Sequence, residues 1–227
     1  GDNTFVVAIH GNFDDAQTGV KKLFNNKELA RELSDKGFLL SSANSINIGR
    51  LVPQIVYYVY AYARLLANEE IQGGEEINIV VPTGNFGNIL AAYFAKKMGL
   101  PIRTLICASN DNKVLYDFFT TGTYDRRREF IMTNSPSMDI LISSNLERLI
   151  YLSAGCDAAA NADLMRELAE EGRYTVTGSM RDFMSDFRGG FATQKENAKA
   201  IRTIFQDTGY LIDTHTGVAA AVYDQYK

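Results

Sequence analysis

"VVPTGNFGNILAAYFAKKMG" occupies residues 80–99. A short apolar run ends at Pro82, two glycines (Gly84 and Gly87) stand three apart, and an apolar-periodic stretch follows. That order spells a strand, a tight loop and a helix. The first N–H groups of a helix have no partner inside it, and the helix dipole makes that end positive. Glycine lets a backbone approach an anion closely, because no Cβ intervenes. A phosphate group is the natural guest of residues 83–88, with Asn85 and Asn88 as added donors.

The spacing excludes two common guests. A P-loop needs a Lys that is missing here, and the dinucleotide fingerprint is present only as its G-x-x-G part. Asp111 is a poor match for the acidic residue that fingerprint wants about twenty positions on. Taken alone, the loop fits a purely structural turn equally well.

Outward from the loop, short apolar runs alternate with helical patterns. Residues 4–9, 37–43, 78–83, 103–109 and 174–179 read as strands. Helices are expected at 14–26, with Asp14 or Asp15 capping, and at 26–37, ending at Gly37. Others are expected at 87–98, 114–121, 145–153, 158–172 and 193–208. Strand runs that are apolar throughout belong to a parallel sheet with helices on both faces, an α/β fold. Residues 53–70, "PQIVYYVYAYARLLANEE", form a helix with almost no polar face. Such a helix is expected to be buried, in the domain or under a partner subunit.

The 227 residues are 46% hydrophobic and 22% charged, as in an ordinary globular protein of one or one and a half domains. A net charge of −4 argues against general nucleic-acid binding. The one dense basic run, "YDRRREF" at 124–130, reads as a solvated face. Cys107 and Cys156 stand far apart, and the two histidines, His10 and His215, make no cluster. The reading is therefore a reducing compartment without a disulfide framework or metal site. No apolar run reaches the roughly 18 residues of a membrane span, and the opening residues lack the pattern of a signal peptide, so a cytoplasmic location is expected.

Three further stretches carry polar groups at helix starts. "SSANSINIGR" (41–50) brings Asn44, Asn47 and Arg50, and an arginine is suited to bidentate binding of a phosphate or carboxylate. "SSNLERLIY" (143–151) places Asn145 and Glu147 at a helix start, a pattern that capping alone explains. "DTHTGVA" (213–219) sets Thr214, His215 and Thr216 before a small-residue helix, where a hydroxyl could bond a ring nitrogen and a histidine is ordinarily structural.

Together, "GNFDDAQTGVKKLF" (11–24), "SSANSINIGRLVPQIVYY" (41–58), "PTGNFGNILAAYFAKKMGLPI" (82–102), "SSNLERLIY" and "DTHTGVA" resemble threonine synthase. That family consists of pyridoxal-phosphate enzymes with the tryptophan-synthase-β-like fold. The resemblance implies that Gly84, Asn85, Phe86, Gly87 and Asn88 hold the cofactor phosphate, and that Thr216 meets the pyridine nitrogen as an uncharged hydroxyl. It implies that Asn44, Asn47 and Arg50 bind the phosphate of O-phospho-L-homoserine, which the family converts with water to L-threonine and phosphate. A monomer or homodimer without nucleic acid or membrane is implied.

The chain departs from the family in one respect. The lysine that the family joins to the cofactor is followed by aspartate, and no Lys-Asp pair occurs here. No catalytic residue is therefore assigned. The chain is expected to be an inactive central-to-C-terminal piece of the large cofactor-binding region, truncated at both ends, with some of residues 1–50 belonging to the smaller domain. A dehydratase-like or cysteine-synthase-like lyase of the same fold, or a non-catalytic anion- or nucleotide-binding module, stays open as an alternative.

Overall fold

The computed structural model describes residues 2–11 and 13–227, in two units, 1–43 and 44–227. The first unit holds helices α1 (Phe13–Asn25) and α2 (Lys27–Asp35). Helix α1 starts ahead of Asp14 and Asp15, the expected caps, and residue 12 lies outside the described residues. Asn26 caps α2 by accepting from Leu29 N at 3.0 Å. Gly37 ends the helix with φ +80°, and Phe38 N–H reaches back to the Leu33 carbonyl at 2.9 Å. The expected strands at 4–9 and 37–43 are not strands and form no ladder among the described residues. Val6 and Leu39 are 92% and 89% exposed. A strand needs a ladder partner for its backbone groups, and none is offered within this unit among the described residues.

The second unit runs α3 (Ile48–Leu51), a 3-10 turn (Val52–Gln54), α4 (Ile55–Ala67), β1 (Ile77–Pro82), α5 (Gly87–Lys97), β2 (Ile102–Ser109), α6 (Val114–Thr121) and β3 (Thr123–Asp125). It continues with a 3-10 turn (Pro136–Met138), α7 (Leu146–Ser153), α8 (Ala158–Glu170), β4 (Arg173–Thr175), α9 (Gly178–Phe183), β5 (Phe187–Phe191), α10 (Gln194–Thr208) and α11 (Thr214–Tyr226). Strands β1, β2 and β5 form a parallel sheet in that order, with Val81 opposite Cys107 and Cys107 opposite Gly189. Leu105 and Cys107 pack with Ile89, Leu90 and Phe118, while Ile106 and Ala108 pack with Val218 and Val222. The sheet is thus buried between α5 and α6 on one face and α11 on the other, the α/β arrangement that the apolar runs imply.

Strand β5, "FRGGF", is invisible to propensity because glycine disfavours strands. Its glycines answer to packing from both sides. A Cβ on Gly189 would stand 3.0 Å from Tyr116 Cα on α6, and one on Gly190 would collide with Val222 on α11.

Two other expectations are corrected. Residues 174–179 add no strand to the parallel sheet; only 174 and 175 are paired, in β4, which runs antiparallel to β3, where Tyr124 and Tyr174 stack at 5.4 Å, and Thr177 then caps α9. Within this chain the apolar helix at 53–70 is not buried all round. In α4 only Tyr58 and Tyr62 are buried, whereas Val56, Tyr57, Val59 and Tyr60 are exposed. The helix lies against α5 along one stripe, with Ile55 partly buried against the same core.

Candidate functional site

The site is built where the parallel strands end, the place at which open α/β sheets bind ligands. Thr83 N–H bonds the Ala108 carbonyl at 2.8 Å and carries the ladder one step past β1. Phe86 then takes a left-handed backbone, φ +65°, just before α5. Its ring is 1% exposed, with ring centroids of Phe119 and Phe187 at 6.0 and 5.6 Å. The left-handed turn costs on the order of 1 kcal/mol for a residue with a Cβ, and burying an aromatic ring offsets it with about 2–3 kcal/mol. Anchored this way, the loop leaves the N–H groups of residues 84–89 without an acceptor among the described residues.

Both glycines are needed at close approaches. A Cβ on Gly84 would meet Ser137 O at 2.7 Å, and one on Gly87 would meet Ser45 Oγ at 2.5 Å. The carbonyls face away from the free N–H groups and are held there. Ser143 Oγ donates to Gly84 O at 2.7 Å, and Asn145, fully buried, donates to Asn85 O from its backbone at 3.1 Å and from its amide at 2.8 Å.

The two asparagines of the loop differ. Asn85 accepts from Ser144 Oγ at 3.2 Å, and its amide nitrogen has no partner among the described residues. Asn88 gives its amide to Gln54 at 3.2 Å and accepts from the Tyr58 hydroxyl, so it clamps α4 to α5. Burial pushes that hydroxyl's pKa well up, which keeps Tyr58 a neutral donor.

The turn at 44–47 lies beside the loop. Asn44 Oδ1 accepts from Ile46 N at 3.0 Å and from Asn145 Nδ2 at 3.3 Å, and Asn47 Oδ1 caps α3 through Gly49 N at 3.0 Å. Arg50, on α3, is exposed; its carbonyl accepts from Gln54, and its guanidinium meets no carboxylate among the described residues. Thr216, in the first turn of α11, donates its hydroxyl proton to Asp213 Oδ2 at 2.6 Å. That helix start touches the 136–138 turn, where Ser137 N–H donates to His215 Nε2 at 3.2 Å. The same turn backs onto Gly84. Thus Asn44, the loop and Asn145 share direct contacts, whereas Thr216 is linked to the loop only through His215 and Ser137.

Sequence reasoning missed three contributors. Arg148 donates to Ser45 O at 3.1 Å, to Asn145 Oδ1 at 2.7 Å and to Ile46 O, fixing the 44–47 turn. Its spacing of three from Asn145 on a helix is the only signal the sequence holds. Gln54 bridges Ser45 Oγ at 2.9 Å and Asn88. Asp139 is 7% exposed and accepts from Asn110, Asn112, Thr133 N and Thr133 Oγ1 at 2.7–3.0 Å. It ties the 136–138 turn to the end of β2. Nothing in the local sequence distinguishes Asp139 from a surface residue. Among the described residues no three His, Cys, Asp or Glu side chains gather as metal ligands, and no helix is long and apolar enough to cross a membrane.

No protein-family model matches the chain. Among known proteins it is similar to human threonine synthase-like 1, with 43% identity over 229 residues, covering all of this chain and 31% of that protein. It is 35% identical to the threonine synthase of Saccharomyces cerevisiae, covering 99% of this chain and 45% of that one. The crystal structure of pyridoxal-phosphate-bound threonine synthase from Brucella melitensis superposes with a TM-score of 0.84 at 42% identity, over 97% of this chain and 45% of that chain. The chain is therefore a relative of the threonine synthases along nearly its whole length and shares their fold. It spans between about a third and under half the length of the relatives it matches.

Proposed function

We propose that this relative of the threonine synthases is the part of such an enzyme that holds the phosphate of pyridoxal phosphate, and that the whole protein makes L-threonine and phosphate from O-phospho-L-homoserine and water. The observation that carries the reading is the row of unmet N–H groups at residues 84–89, on a loop whose carbonyls are tied back. An anionic phosphate satisfies those donors and the positive end of α5 together. Bound there, the cofactor supplies electron withdrawal from the substrate carbons next to the amino group.

The chain's own residues bind and orient. Gly84, Asn85, Phe86, Gly87 and Asn88 form the phosphate loop, with Asn85 offering its free amide and Asn88 fixing the loop to α4. Thr216 is assigned to the ring nitrogen by likeness to the family. In this structure its proton goes to Asp213 Oδ2 at 2.6 Å, so donating to a ring nitrogen requires the hydroxyl to turn from that carboxylate. Arg50 is the substrate-phosphate clamp, with Asn44 and Asn47 shaping the turn that carries it. No Lys-Asp pair occurs in the sequence, so the chain by itself binds the cofactor without turning substrate over. The same reading keeps it in the cytoplasm, in keeping with cysteines that are both free.

Calorimetric titration of the chain with pyridoxal phosphate tests the reading. Binding that inorganic phosphate displaces is expected, with no phosphate release from O-phospho-L-homoserine. Preference for a nucleotide over pyridoxal phosphate would instead favour an anion-binding module. In the whole protein, unchanged affinity for O-phospho-L-homoserine after Arg50→Ala would remove the substrate assignment.

A further inference from the structure

We infer that His215 is a positioning residue for the phosphate loop: its neutral imidazole, oriented by Asp213, latches the start of α11 onto the turn that backs Gly84. The inference rests on the proposed function only in taking residues 84–88 as the binding loop. Three contacts carry it. Asp213 Oδ1 stands 3.1 Å from His215 Nδ1, and a carboxylate there draws the ring proton to that nitrogen. Nε2 is left as a lone pair, and Ser137 N–H points at it from 3.2 Å. The carbonyl of the same Ser137 presses on Gly84 so closely that only glycine fits. The imidazole therefore spans from the helix that carries Thr216 to the wall of the loop.

The bond exists in one protonation state. A proton on Nε2 would set N–H against N–H and release the turn. The groups around the ring leave that state to the imidazole alone. Asp213 is held down to about 2, first by the Thr216 hydroxyl, and stays ionised throughout the range in which a histidine titrates. Asp139, two residues beyond Ser137, has its carboxylate taken up by Asn110, Asn112 and Thr133. On α10, the adjoining helix, Asn197 is uncharged and bonds the Thr214 carbonyl, and Glu196 is held by Thr193. No other ion pair reaches His215 among the described residues.

The test uses the nitrogen-15-labelled chain without ligand. In the neutral ring, Nε2 should be the unprotonated nitrogen, read from the ring nitrogen-15 shifts. As pH falls, the Ser137 and Gly84 amide signals should move together with the ring's own titration. His215→Ala should speed exchange of the Ser137 amide roughly tenfold, the size of one neutral hydrogen bond. His215→Gln, whose amide oxygen can accept, should restore most of that protection and abolish the pH dependence. A proton found on Nε2 of the neutral ring, or a Gly84 amide indifferent to the wild-type titration, overturns the inference whether or not either variant folds. Pyridoxal phosphate added afterwards tests the other reading separately: if it moves no amide of residues 84–88, the proposed function falls.

Discussion

A Cβ on Gly84 would stand 2.7 Å from the carbonyl oxygen of Ser137 and 3.2 Å from the Cα of Met138. Both are backbone atoms, so neither can swing aside. Gly84→Ala must push the loop off the 136–138 turn, at a cost of about 1–3 kcal/mol in stability. Affinity for pyridoxal phosphate should fall about tenfold or more, roughly 1.4 kcal/mol. Urea melts and calorimetry measure the two effects. Gly178→Ala is the control, since nothing lies within 4 Å of its Cβ position; it should leave both unchanged.

Phe86 combines a buried ring with a left-handed backbone, and two substitutions separate them. Phe86→Ala should cost about 3–5 kcal/mol, through the cavity left beside Phe119 and Phe187. Phe86→Gly leaves the same cavity but removes the strain of φ +65°, so it should be the more stable variant by up to about 1 kcal/mol. Equal urea midpoints for the two would show that the backbone there is unstrained.

Asp139 is expected to tolerate not even the isosteric amide. Asp139→Asn sets an NH2 group among the donors of Asn110, Asn112 and Thr133, at a cost of about 2–4 kcal/mol. Asp163→Asn, which removes an exposed pair with Arg166, should cost no more than about 1 kcal/mol. Chemical denaturation of the two variants side by side checks the contrast.

Asp213 makes stability depend on acid pH in a defined direction. Its folded pKa, about 2, lies below the ordinary 3.8, chiefly because Thr216 donates to it. A depressed carboxylate pKa adds stability that is fully present above the unfolded value and is lost as pH falls through the folded one. The stability gap between wild type and Asp213→Asn should therefore be flat above about pH 5 and close between about pH 4 and 2. The side chain is 63% exposed, so solvent screening leaves only a small part of the shift as stability. Thr216→Val should narrow the pH dependence. A gap that widens on acidification would contradict the geometry.

Most of the helices, and strands β1 and β2, were legible because their signals are local. "NIVVPT" and "RTLICAS" each hold an unbroken apolar run, 79–82 and 105–108, and Gly87 to Lys97 repeats with helical period. The loop was legible for the same reason: strand, glycines and helix follow one another without a gap. Strand β5 was not, because its two glycines record the approach of helices from both sides, and neither helix is near it in sequence. The hydrophobic stretches at 4–9 and 37–43 misled in the opposite way, since apolar content marks a strand only where a ladder exists to receive it. Ser137, Asp139 and Arg148 lie 49 to 64 positions from the loop they support, and no local pattern can report a contact over such a separation.

Where Gly189 and Gly190 pass between α6 and α11, the sheet is no thicker than its own main chain. In a saturation mutagenesis screen those two positions should behave as if they were the most crowded core residues, although they contribute no side chain. Their tolerance profile would reject alanine as firmly as tryptophan. A compositional search for the hydrophobic centre of the molecule would pass over both.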